Sequence, residues 1–149
     1  MGPVCEDPGM SIATDWPSTG PDDPLHRRAH QKTLRRVRDY CLAMPYTDEK
    51  ISRGHTPIIT VHGKNFCIFW RAGGRPNVCF TAEPGVQDLL VRQDPARYFV
   101  PAYMGVRGWV GIRLDGDVDW DALEQIARDS HAFTSPKRST ASKDRARRG

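Results

Sequence analysis

No Cys-x-x-Cys pair occurs in this chain. Its four cysteines, Cys5, Cys41, Cys67 and Cys79, are scattered, which excludes the usual spelling of a zinc ribbon or a dithiol redox site. Three of them fall inside apolar helix or strand patterns, where a reduced thiol behaves as a small hydrophobe. There is no run of about eighteen apolar residues, and no positively charged start followed by an apolar core, so the chain reads as neither membrane-spanning nor secreted. A cytoplasmic, reduced protein is the expectation. Also missing are a Ser-His-Asp order, a nucleophile elbow, a phosphate-cradling glycine loop and a zinc-protease motif. These absences predict a protein without catalytic activity, without a cofactor and without a metal. His26 and His30 stand at helical i, i+4 spacing, but no third ligand follows. The Asp115, Asp117, Asp119, Asp121 series lacks the glycine and the bidentate glutamate of a calcium loop. Turn and helix-cap duty accounts for it.

What charge there is comes in blocks. The net charge of +4 over 149 residues conceals an acidic start, with five acids and no Lys or Arg in residues 1–23. Residues 24–41 carry six bases against one acid, and residues 137–149 again six against one. Between them, residues 115–136 hold six acids and only Arg128. The basic character therefore belongs to one helix, a central region and a tail.

Residues 1–22, rich in Pro and Gly, are expected to be a disordered N-terminal tail, and residues 136–149 a disordered basic C-terminal tail, flanking one domain over 23–135. Asp23-Pro24 has the form of a helix start. Leu34, Val37, Tyr40, Cys41 and Met44 then share one side of a wheel and the bases take the other, either as a solvated face or as a phosphate-contacting one. Pro45 ends the helix. After a connection at 46–50, strands are expected over 57–61, 65–70 and 77–81, joined by turns at His62-Gly63-Lys64 and 72–76. Val86, Leu89 and Leu90 mark a short buried helix stripe, and Asp119 or Asp121 starts a last helix.

The stretch from Tyr98 to Leu114 organises the rest. Val110, Ile112 and Leu114 alternate against Trp109, Gly111 and Arg113. The even set reads as a core face. The odd set joins an aromatic, a residue without a side chain and a guanidinium, which suits a place where something approaches the backbone closely.

Several pieces, in this order, resemble the MmcQ/YjbR family of small bacterial proteins: Cys41-Leu-Ala-Met-Pro45, Gly54-His-Thr-Pro57, Gly63-Lys64-Asn-Phe66, Pro101-Ala-Tyr103-Met-Gly105-Val-Arg-Gly108-Trp109-Val, and Trp120 leading to Asp129-Ser130-His131. The resemblance spans about residues 34–134. Where the family often has Ser-Tyr near the end of the last helix, this chain has Ser130-His131. The resemblance implies an α/β (α+β) fold similar to CyaY (frataxin-like), in the order α-β-β-β-α-β-α, with an antiparallel sheet of short strands packed against helices. It also implies DNA binding through a double-wing arrangement of hairpins. Under that reading Lys64, Arg71, Arg75 and Arg107 contact phosphates, with Arg113 and Trp109 near the groove. The basic first helix argues against an iron-binding inheritance from frataxin. The alternative is a small-molecule or protein-binding domain with an aromatic pocket, in which His55, Tyr103 and Trp109 take part.

Overall fold

In the computed structural model, which describes residues 16–136, the period-3.6 and period-2 patterns both find their partners. Helix α1 (Gln31–Leu42) buries Leu34, Val37 and Cys41. The sheet has six antiparallel strands: β1 (Thr47–Ser52), β2 (Thr56–Val61), β3 (Lys64–Trp70), β4 (Asn77–Phe80), β5 (Tyr98–Phe99) and β6 (Val110–Arg113). Their spatial order is β1-β2-β3-β4-β6-β5. Helices α2 (Val86–Gln93) and α3 (Trp120–Thr134) follow β4 and β6. The fold is α+β, as expected, with two more strands than the expected order allows. β1 has the sequence Thr-Asp-Glu-Lys-Ile-Ser, with no apolar alternation to read. It is an edge strand held by pairing with β2 from Thr47↔Val61 to Ser52↔Thr56. β5 is only two residues long and exists through its pairing with β6.

The expected helix from Asp23 is broken. Asp23 does cap a first turn, accepting from the Leu25 N–H at 2.9 Å, but Pro24–His26 and Arg28–His30 are separate 3-10 turns. Arg27 between them is extended. The buried Gln31 side chain donates to the Leu25 and Arg27 carbonyls at 2.8 and 3.1 Å, satisfying groups that a continuous helix would have paired along its own axis. His26 and His30 therefore do not stand one turn apart on one helix. The domain also begins earlier than residue 23. Trp16 is buried, its ring 4.5 Å from that of Phe69, and its indole N–H donates to Glu49 at 2.8 Å. The expected disorder of residues 1–22 thus fails for 16–22, while residues 1–15 and 137–149 lie outside the described residues.

All three helices pack on one face of the sheet. Its core joins Leu34, Val37, Ile59, Phe69, Val110 and Ile112 to Leu123 and Ala127. Between β2 and β3 the register shifts at Ile59/Thr60, so Phe66 and Cys67 both join the helix-side core. Leu89, expected in the buried stripe of α2, is exposed; Val86, Leu90 and Val91 pack inward instead. α3 starts where Asp119 accepts from the Ala122 N–H, and its buried Ser130 donates to the Phe66 carbonyl at 3.2 Å.

Candidate functional site

Among the described residues, the other face of the sheet carries no α-helix. Ile58, Ile68, Cys79 and Trp109 form a second apolar cluster there, with Trp70, Phe99 and Met104 half-covering it. The alternation read from the sequence holds: Val110, Ile112 and Leu114 belong to the helix-side core, and Trp109 to this second cluster. What approaches Gly111 is the ring of Phe99, two of whose carbons lie 2.6 Å from where a Cβ would stand. The Arg113 guanidinium stacks over the same ring at 4.6 Å.

Two adjoining hollows open on this face. One, of about 580 Å³, is lined by Arg53, His55, Ile58, Trp70, Tyr103 and others. Its neighbour, about 560 Å³, has Lys50, Lys64, Arg107 and Trp109 in its walls. They share Asn65, Ile68 and Met104. Lys50, Arg53, Lys64 and Arg107 are all exposed, and neither lining contains an Asp or Glu. Asp48 stands on the same side of β1 as Lys50, two residues along, yet lines neither hollow. Four cations around an acid-free trough with an apolar floor make a site that suits an anion carrying flat or apolar groups.

The residues expected at the site divide accordingly. Lys64 and Arg107 are brought together at one hollow, with Trp109 as a buried part of its wall. His55 and Tyr103 meet at the other. Arg71 does not join them. Its guanidinium grips Asp23 at 2.7 and 3.1 Å and donates to the His55 carbonyl at 2.9 Å. The Asp23 carboxylate is wholly buried and Arg71 only 16% exposed. Burial pushes the Asp23 carboxyl up, but Arg71 and the Thr19 and Leu25 N–H groups outweigh it and hold the pKa at about 2. Arg75 makes a two-pronged pair with Asp115 at 2.8 and 2.9 Å. Both are struts between segments distant in sequence, and their guanidiniums are already engaged by carboxylates. Arg113 lies on the open side of the sheet but away from the trough, beside Asp94, Arg97 and Asp117. Of the helix bases, Arg36 stacks on Trp120 at 4.0 Å and reaches Glu124, and Arg38 holds Glu49 by two bonds of 2.7 and 2.8 Å.

Sequence reasoning missed Lys50 and Arg53. Lys50 sits on the strand that has no apolar signature, so its face was unreadable. Arg53 has a left-handed backbone, φ 55°, in a turn defined only by the pairing of β1 with β2.

A YjbR family model matches residues 42–133, more than half of the chain. The chain belongs to the YjbR family. Every cation of the trough lies inside the matched segment, whereas Trp16, Asp23 and Arg38 lie outside it. Among solved structures, the chain is similar to a crystal structure of the Deinococcus radiodurans protein DR2400, described as family-model domain DUF419. The identity is 18% and the TM-score 0.61, over 70% of this chain and 79% of that one; this likeness is one of fold. No curated protein matches.

Proposed function

We propose that this YjbR-family protein binds DNA weakly and with little sequence preference, through phosphate contacts made by Lys64 and Arg107 on the open sheet face, with Lys50 and Arg53 beside them. The observation that carries this reading is the acid-free trough. Its four cations have no ion pair among the described residues, while Arg36, Arg38, Arg71, Arg75, Arg92 and Arg97 all do. Unpaired cations release condensed counterions from a phosphate backbone at the smallest cost in lost partners. The wings of the expected double-wing arrangement are revised here: Arg71 and Arg75 brace the fold, and the contacts fall to the sheet face. The protein acts as a binding domain with no catalytic step.

Fluorescence anisotropy of a labelled duplex at several salt concentrations tests the reading. Lys64→Glu with Arg107→Glu lowers affinity by about tenfold or more and reduces the salt slope by about two, since each phosphate contact contributes about 0.9 to the slope. Arg75→Glu leaves that slope unchanged. Unaltered binding by the double variant sinks the proposal.

The small-molecule reading draws support from the hollow of about 580 Å³ beside Trp70, Tyr103 and His55, a volume in the range of ligand pockets. A thermal-shift screen separates it, because a specific ligand raises the Tm with occupancy.

A further inference from the structure

Resting on that phosphate-binding reading, we infer that the preferred ligand of the open face is single-stranded nucleic acid, its bases stacking on Tyr103 and Trp70 while its phosphates meet Lys64, Arg107 and Arg53. A duplex presents phosphates but keeps its base faces stacked inside. A single strand presents both, and a protein that reads it pairs cations with accessible aromatic planes. This face has both in one place. Tyr103 is 88% exposed and lines the same hollow as the half-buried Trp70 and as Arg53. The adjoining hollow, sharing Asn65, Ile68 and Met104, supplies Lys50, Lys64 and Arg107. Charge complementarity with a polyanion follows from the lack of any carboxylate in either lining.

The backbone at the ring supports this assignment. Tyr103 holds φ 66° and Arg53 φ 55°, a region that costs a non-glycine residue roughly 1 kcal/mol or more. Neither side chain contributes to either core cluster. Packing does not require a tyrosine at a position where glycine or asparagine fits better, and a stacking platform does. Hollows of about 580 and 560 Å³ have room for flat groups laid against the sheet.

The test uses the full chain with two labelled probes of equal length, a thymidine oligonucleotide of about twelve residues and a mixed-sequence duplex, at matched salt. The variant is Tyr103→Asn, which removes the ring while keeping a residue type that tolerates the left-handed backbone. The expected result is tighter binding of the single strand by about tenfold, quenching of tryptophan fluorescence on binding, and a loss of about fivefold or more in Tyr103→Asn that is confined to the single strand. Circular dichroism confirms that the variant is folded. Equal affinity for both probes, or a single-strand affinity indifferent to Tyr103→Asn, overturns this inference and leaves the phosphate reading standing. Failure of Lys64→Glu with Arg107→Glu to weaken either probe overturns the phosphate reading itself.

Discussion

At the scale of single residues, the chain uses its ionisable and special side chains as fasteners. Asp23 is the clearest case. Its carboxyl titrates at about 2 against an ordinary 3.8, so its contribution to stability is complete above about pH 4 and is lost as pH falls towards 2. That shift corresponds to about 2 kcal/mol at about 1.4 kcal/mol per unit. Asp23→Asn therefore lowers unfolding free energy at pH 7 by about 2 kcal/mol and flattens the acid limb of stability against pH. Urea unfolding at pH 7 and pH 3 checks both. Arg71→Ala costs more, about 3–5 kcal/mol, because it leaves a buried carboxylate without its cation. Gly111 gives a steric counterpart. An Ala at 111 places its Cβ against the Phe99 ring, and Gly111→Ala is expected to destabilise by about 1–3 kcal/mol in the same assay. The buried thiols are inert by the same physics. Burial pushes Cys79 up to about 12 and raises Cys67 well above its usual range, so alkylation mapped by mass spectrometry marks neither in the native protein.

At the scale of elements, the segment before α1 acts as a strap. Trp16 seats on Phe69 and closes a chain of bonds through Glu49 to Arg38, tying edge strand β1 to α1. Arg71 then ties the strap to the turn after β3, through Asp23 and the Pro17 carbonyl. Trp16→Ala is expected to cost about 3–5 kcal/mol, the usual range for removing a buried tryptophan, with hydrogen exchange rising first in β1. Exchange that rises uniformly across the sheet would show that the strap does not hold that edge in particular. β1 contributes Lys50 to the trough and, among the described residues, pairs with β2 alone, so loosening the strap is expected to loosen that wall of the site.

At the scale of the whole molecule, the helices and the apolar floor of the site occupy opposite faces of one sheet, with Thr134 of α3 reaching the wall of one hollow. The acids of residues 115–136 serve α3 and its approach: Asp119 caps the helix, Asp115 braces Arg75 and Glu124 meets Arg36. The bases of the trough have no ion pair among the described residues, and neither lining holds a carboxylate. Under the proposed reading, the bases of residues 137–149 would add phosphate contacts to those of this face. Removing the residues after Pro136 is expected to lower duplex affinity while preserving a measurable salt slope from the trough. Anisotropy titrations of the two chains check this, and loss of all binding with the tail would place the contacts outside the folded body.

Local order alone was enough to determine most of the helix side of the core, the alternation at 109–114, the turn at His62-Gly63 and the cap at Asp23, and it narrowed the start of the last helix to Asp119 or Asp121. These depend on patterns a few residues long, and the sequence of such pieces was enough to suggest the family. Tertiary structure decided what depends on distant partners. β1 has no apolar signature because Glu49 is held by Arg38 and Trp16 from outside the strand. The 3-10 turns replace a helix because Gln31 bonds backward to two carbonyls. Arg71 and Arg75 look like free bases at hairpin tips until Asp23 and Asp115, 48 and 40 residues away, arrive to claim them. A lysine or arginine reads the same in sequence whether it faces water or a carboxylate. Only the folded chain distinguishes the bases that brace it from those left open to a ligand.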